Sequence, residues 1–362
     1  MMTEWDFIAA PATVEIDFAV NQAEIVVNML QLLNTLEQNA GLSQWMEETY
    51  HALSPEEKHA NKLASMAFDA INWSQNITTF PDVIADLEER DAVELRAQTL
   101  QWLTETEGMP SLDTLLSDAD VLVRVNYEHA SQHGKQESFD EPFWRWAYDQ
   151  LAEAGYFKQV VVQHLKMMWE RFLREHWLRN EALLIESRNA FLQMQFGSFS
   201  DAFAAIEAVT GRNMRGAEKM EQHFANSARL IFMPVTHLGP YISWGRTYEG
   251  DDLVFFSARL PRNTRVESPA LNRSELLVRL NALADDTRLR MLEMLVENEE
   301  ICAQDFITRL ELSQSSASRH LRQLTASGYL NERRRDVAKC YSLNRERIED
   351  TMKALGRFLD KH

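Results

Sequence analysis

Residues Ala303 to Leu343 leave the chain little freedom. Ala303–Leu310 reads as a short helix, and Glu311-Leu312-Ser313 as a tight turn with Ser313 placed to cap a second helix. That second helix is Gln314–Ala326, with Gly328 where a left-handed C-terminal residue is wanted. Tyr329–Arg333 and Ala338–Leu343 then read as a hairpin with its tip at Arg334–Val337. Two short helices across a tight turn, followed by a basic hairpin, form the pattern of a helix-turn-helix with a wing. On a wheel of roughly 100° per residue, Ala317, Leu321 and Leu324 fall together and must face the core. The opposite side presents Ser315, Arg319, Arg322 and Gln323, flanked by Ser316 and Ser318. Hydroxyls and Arg without acids suit a major groove, since both bond phosphates or bases and Arg can take guanine in a bidentate way.

Charge supports this placement. The whole chain carries a formal net charge of −18, which at first sight excludes nucleic acid. Residues 1–140 hold 25 acids and 6 bases, while residues 313–347 hold 3 acids and 8 bases. What a surface attracts is set by charge within about one Debye length, roughly 8 Å in the cell, so a basic segment can bind DNA inside an acidic protein.

The helices around this segment are amphipathic. Asn272–Leu283 carries Leu276, Leu277, Leu280 and Leu283. Asp285 or Asp286 caps a helix with Leu289, Leu292, Met294 and Leu295. Ile348, Met352, Leu355 and Leu359 run at spacings of 4, 3 and 4 along the last helix. That stripe can pack within its own chain or against a second copy.

Here the sequence resembles a known family. Leu283-Ala284-Asp285-Asp286-Thr287-Arg288-Leu289-Arg290-Met291-Leu292 and Leu312-Ser313-Gln314-Ser315-Ser316-Ala317-Ser318-Arg319-His320-Leu321 resemble the ArsR-type winged-helix regulators. The likeness covers about 90 of the 362 residues. It implies a dimeric DNA-binding domain with Gln314–Ala326 as recognition helix, and a transcription regulator that is most often a repressor. The expected DNA-facing set is Gln314, Ser315, Ser316, Ser318, Arg319, His320, Arg322 and Gln323, with Arg333, Arg334, Arg335 and Lys339 on the wing. The expected dimer seam is Leu276, Leu280, Ile348, Met352, Leu355 and Leu359. Two features depart from the family: about 270 residues precede the domain, and Arg335-Asp336-Val337 at the wing tip contains no Gly.

The metal-sensing branch of that family places Cys-x-Cys on the third helix; here the stretch is Cys302-Ala303-Gln304. A soft metal needs several thiolates or imidazoles, and one Cys with an amide does not supply them. The last helix offers only His362. Cys302 is therefore read as a small buried apolar residue, and no metal or cofactor is expected. Two cysteines, Cys302 and Cys340, make no disulfide framework, and a reducing cytoplasm is the natural home. His129 and His133 could share a metal on a helix, but no third ligand is evident. Trp144, Trp146, Trp169 and Trp177, with Phe143, Tyr148, Phe157 and Phe172, read as core or as an apolar effector pocket. No nucleophile elbow, phosphate loop, dinucleotide fingerprint or HExxH occurs, so no enzyme is expected.

The fold expected is mainly α with small β. Residues 1–260 form a helical sensor or partner domain with a short antiparallel sheet, 261–271 a linker, and 272–362 the winged helix. Ala12–Val20 alternates Val14, Ile16, Phe18 and Val20 against Glu15 and Asp17, the period of a half-buried strand. Arg229–Val235, Tyr241–Tyr248 and Leu253–Ala258 read as further strands, the last two as a hairpin. Helices are expected over 21–39, from the capping box Ser54-Pro55-Glu56-Glu57, and over 91–106, 142–154, 156–195, 199–209 and 213–226. No run of 18 apolar residues occurs, so no membrane span is expected, and Met1–Ala10 is not a secretory signal. The partners expected are double-stranded DNA, a second copy, and a small-molecule effector or a basic partner for the acidic N-terminal region. In the alternative reading that docking is the main function and the winged helix a secondary contact surface.

Overall fold

The computed structural model describes residues 13–70, 77–104, 110–132, 139–216, 218–247, 249–261, 269–335 and 338–359. By its contacts the chain divides into two units, Asn21–Asn39 with Ser43–Glu181, and Met1–Val20 with Ala40–Leu42 and Ala182–His362.

The first unit is helical: α1 (Gln22–Leu33), α2 (Gln44–Ala52), α3 (Pro55–Ala70), α4 (Phe80–Glu89), α5 (Ala92–Thr99), α6 (Gln101–Thr104), α7 (Leu112–Leu115), α8 (Ala119–Gln132), α9 (Glu141–Leu151), α10 (Ala154–Met168) and the start of α11 (Arg174–Leu192). A single π-helical turn, Trp169–Leu173, joins α10 to α11. The capping box at α3 is reciprocal: Glu57 N–H donates to Ser54 Oγ at 3.1 Å, and Ser54 N–H to Glu57 Oε2 at 2.7 Å. Inside, Asn61 donates to Leu30 O and to Asn34 Oδ1, both at 2.8 Å, and Asn34 to Ser65 Oγ at 2.8 Å. His164 Nε2 lies 3.3 Å from Asn61 Oδ1. This polar seam ties α1, α3 and α10, and burial pushes the imidazole of His164 down to about 4. Four of the eight aromatic residues are core: Phe143, Trp144, Phe157 and Trp177 are buried, with Lys62 Nζ 4.1 Å above the Phe143 ring, while Trp146, Tyr148, Trp169 and Phe172 are half-buried. His129 lies on α8, whereas His133 is outside the described residues.

The second unit begins with β1 (Glu15–Phe18), continues from the C-terminal half of α11 through α12 (Ala202–Thr210) and α13 (Glu218–Phe224), and adds β2 (Arg229–Val235), β3 (Ile242–Arg246) and β4 (Asp252–Ser257). The strand order is β1-β2-β4-β3. The expected antiparallel hairpin is β3–β4, and β2 and β1 extend it in parallel register. Phe18 of β1 stacks on Phe191 of α11 and Phe232 of β2, while Asp17 on the other face takes Arg229 Nη2 at 2.9 Å. That alternation is the one the sequence shows.

The same unit holds α14 (Pro269–Leu283), α15 (Asp286–Glu297), β5 (Ile301–Cys302), α16 (Ala303–Leu310), α17 (Gln314–Ala326), β6 (Leu330–Arg335), β7 (Ala338–Leu343) and α18 (Arg345–Leu359). Strands order β5-β7-β6, all antiparallel. The core is Met291, Leu292 and Leu295 with Phe306, Leu321, Leu324 and Tyr329. Leu289, expected on the core face of α15, is half exposed, and Arg288 occupies that face instead. Of the stretch read as linker, 262–268 lies outside the described residues, and from Pro269 the chain is already helix.

One expectation fails outright. Cys302 is not a free buried thiol: β5 and β7 set Cys302 opposite Cys340, and the two sulfurs form a disulfide. The two-residue strand β5 is too short to show a period in sequence, so this pairing was not visible there.

Candidate nucleic-acid interface

The helix-turn-helix is fixed by backbone chemistry. Glu311 ends α16 in the left-handed conformation (φ 53°), and Leu312 N–H bonds Ile307 O at 3.1 Å. Ser313 then caps α17, its Oγ accepting from Ser316 N–H at 3.1 Å. At the other end Gly328 (φ 80°) lets Tyr329 N–H reach Leu324 O at 3.0 Å and its own N–H reach Thr325 O at 2.9 Å. This is a Schellman closure, and only a residue without Cβ takes that φ at no cost. Ala317, Leu321 and Leu324 are buried, as the wheel requires.

Gln314, Ser315, Ser318, Arg319 and Arg322 are exposed, and Ser316 is half-buried. Two residues of the expected face are not. Gln323 is buried, with its side-chain amide against Gly41, so closely that a Cβ on that glycine would collide with it. His320 is buried beside α15, with Nδ1 3.6 Å from Asp285 Oδ1. Burial holds its imidazole below the usual range. Asp285 is also the α15 cap, accepting from Arg288 N–H at 2.9 Å. The Arg288 guanidinium, inside the domain, donates to Ala282 O at 2.7 Å and Asn281 O at 2.9 Å. Sequence reasoning missed this tie between α14 and α15, because a buried Arg looks like a surface one until its acceptors are known.

The wing also sorts its cations. Three consecutive Arg cannot share a face of a strand. Arg334 pairs across the hairpin with Lys339, while Arg333 and Arg335 point to the other face. There Glu300 accepts from Arg333 Nε and, at 2.6 Å, from Arg333 Nη2, and lies 4.0 Å from Arg335 Nη1. The Arg333 hydrogen bonds hold Glu300 below the usual carboxylate range. Lys339 Nζ reaches Glu332 at 2.7 Å. Asp336 and Val337 of the wing tip lie outside the described residues, as does His362.

In the same unit, α14 and α18 form an apolar groove lined by Arg273, Leu276, Leu277, Leu280, Leu355, Phe358 and Leu359. Leu276 is already buried in the single chain, and Ile348 packs into the winged-helix core rather than along the outer stripe. The exposed apolar surface belongs to Leu277 (55%), Met352 (46%), Phe358 (40%) and Leu359 (64%). Leu277 and Phe358 were absent from the expected seam. Thr351 takes the inward place, its Oγ1 accepting from Tyr329 Oη at 3.1 Å. Among the described residues no group of three or more His, Cys, Asp or Glu is placed to hold a metal.

Comparison with known proteins bears on this same region. Residues 285–332 match the family model described as bacterial regulatory protein, arsR family. The chain is 35% identical over 86 residues to the transcriptional activator HlyU of Vibrio cholerae, which covers 24% of this chain and 79% of HlyU. It is 44% identical over 64 residues to the arsenic resistance transcriptional regulator ArsR1 of Pseudomonas putida, covering 18% of this chain and half of that protein. A solved structure of HlyU from V. cholerae aligns with 33% identity over 25% of this chain and 96% of its own, at a TM-score of 0.21. The matched segment contains the capped turn, α17 and the start of β6, and the chain belongs to the arsR family of bacterial regulatory proteins.

Proposed function

We propose that the protein is a dimeric, sequence-specific repressor whose N-terminal region receives a ligand or protein signal. The observation that carries the DNA-binding part is the outer face of α17. Ser315, Ser318, Arg319 and Arg322 stand exposed on a helix capped at both ends and seated on a packed core. In that position Arg319 and Arg322 meet base edges, the serines meet phosphates, and Arg334 with Lys339 lies along the flanking backbone. Arg333 and Arg335, held by Glu300, contribute by position rather than as freely swinging cations.

The apolar groove of α14 and α18 supports pairing about a two-fold axis, which would bring two recognition helices to two half-sites. Regulation then rests on a coupling free energy. A signal that favours the DNA-incompetent arrangement lowers operator affinity by the ratio of its affinities for the two arrangements. A soft metal is a poor candidate for the signal, since Gln304 replaces the second thiolate and the sulfur of Cys302 is bonded to Cys340.

The test is a gel-shift titration on the protein's own promoter at several salt concentrations, with a reporter driven by that promoter. Specific, salt-dependent binding and a reporter that rises when the gene is deleted support a repressor. A reporter that falls makes it an activator, and absence of specific binding sinks the reading.

A further inference from the structure

α11 is apolar on two sides. One side, with Leu173 just before it and Trp177, Leu184, Ser187 and Phe191 along it, is buried in its own chain. About 100° around the helix runs a second row: Leu178, Ala182, Ile185, Asn189 and Leu192, at spacings of 4, 3, 4 and 3. All five are exposed, Leu178 at 65%, Ile185 at 37% and Leu192 at 52%. This is the repeat of a two-helix seam, and among the described residues no element covers it.

We propose that this face pairs with the same face of a second copy, antiparallel and about a two-fold axis. The charges beside the stripe select both partner and register. Arg179 and Glu186 flank one edge, and Glu181 and Arg188 the other. In an antiparallel pair, like edges meet. Setting Leu178 opposite the partner's Asn189, and Ala182 opposite the partner's Ile185, brings Arg179 to the partner's Glu186 and Glu181 to the partner's Arg188. Symmetry repeats both, so all four flanking contacts are of opposite sign. Sliding one heptad in one direction sets Arg179 on the partner's Arg179 and Glu181 on the partner's Glu181. Sliding in the other sets Glu186 on the partner's Glu186 and Arg188 on the partner's Arg188. A parallel pair sets Glu181 beside the partner's Glu186 and Arg174 beside the partner's Arg179. The two slid antiparallel registers and the in-register parallel pair therefore all meet like charges, which is how helix pairs exclude wrong registers; a staggered parallel pair lacks the two-fold axis.

The side chains are close to ready. Arg179 now bonds Glu175 on its own helix, and Arg188 bonds Asn189 Oδ1 at 2.8 Å. Both guanidiniums lie on the surface, where exchanging one acceptor for another costs little. Ala182 is small enough to let the two helices approach, and Asn189 sits in the outer layers, where its amide reaches water. The contact is separate from the α14–α18 groove and does not depend on it.

The test is sedimentation velocity on the full chain carrying Met352→Asp and Leu355→Asp, so that the groove cannot contribute. This chain should still dimerise at micromolar concentration, and adding Ile185→Asp should make it a monomer with an unchanged far-UV spectrum. Arg179→Glu in the same background should raise the dissociation constant roughly tenfold, because symmetry counts the change twice. Adding Glu186→Arg should restore it. Those two positions lie about 10 Å apart on one helix and can compensate only across the pair. Dimers indifferent to Ile185→Asp overturn the proposal. Association strengthened by Arg179→Glu would indicate parallel pairing and overturn it too. A chain that stays monomeric through tens of micromolar, with native spectrum, leaves the stripe to a different protein and refutes self-pairing.

Discussion

Replacing Met352 and Leu355 by Asp should separate the subunits at the winged helix. Leu277, Met352, Phe358 and Leu359 each keep roughly half their surface exposed in the single chain. Full burial of such a side chain is worth about 1.5–3 kcal/mol, so hiding the remaining half yields about 1 kcal/mol each. Four side chains on each of two copies give about 8 kcal/mol. That lies within the range of about 4–15 kcal/mol that association costs in lost freedom, so the pair depends on all of them. The double substitution removes the roughly 2 kcal/mol that Met352 supplies over the two copies, more than one decade in Kd, takes away the part-buried Leu355 beside it, and adds four carboxylates near the axis. The measurement is sedimentation at micromolar concentration in an Ile185→Asp background, where α11 is silent. A monomer is expected. Affinity for a two-half-site operator should fall far more than affinity for one half-site, since the link between half-sites is lost. A variant that remains dimeric there, with an unchanged ratio of the two affinities, would refute the groove as the dimer seam.

His164, held near 4 in the fold against about 6.5 when unfolded, favours the folded state fully above pH 6.5 and loses that contribution as pH falls to about 4, by at most about 3 kcal/mol. Glu24, pushed up to about 7 by burial, acts in the opposite direction, contributing below pH 4.5 and losing this as pH rises through 7. The difference in urea-unfolding free energy between wild type and His164→Gln, measured from pH 7 to 4, isolates the histidine; parallel curves would contradict its assignment. Zn²⁺ or arsenite at stoichiometric concentration should not release DNA, and release that Cys302→Ser abolishes would show a metal site at that sulfur. Breaking the Cys302–Cys340 bond opens a loop with a sequence separation of 38 residues and should cost up to about 4 kcal/mol of winged-helix stability, read as a lower melting temperature for Cys340→Ser under oxidising conditions.

Local chemistry was legible in the sequence, and long-range contact was not. The caps at Ser54 and Ser313, the left-handed Gly328, the buried face of α17 and strand β2 are all set by residues within a few positions of one another. Gln323 looked exposed because its wheel position is opposite Leu321, yet Gly41, far away in sequence, covers it. Ile348 looked like seam because it shares a stripe with Met352, yet it packs into its own domain, and Thr351 takes the inward position. The three wing arginines read as one patch until strand pairing divided them and Glu300 claimed two. In each case a contact between distant residues decided what periodicity left open.

In the proposed function the exposed face of α17 reads DNA sequence. Selecting duplexes from a random pool with the full chain, then titrating the enriched sequence and a scrambled one against wild type and Arg319→Ala, measures it directly. The expected result is a two-fold symmetric enriched sequence for which Arg319→Ala loses about 1–3 kcal/mol, with weak scrambled-DNA binding nearly unchanged. No enrichment, or equal affinity of wild type and Arg319→Ala for the enriched sequence, would contradict it.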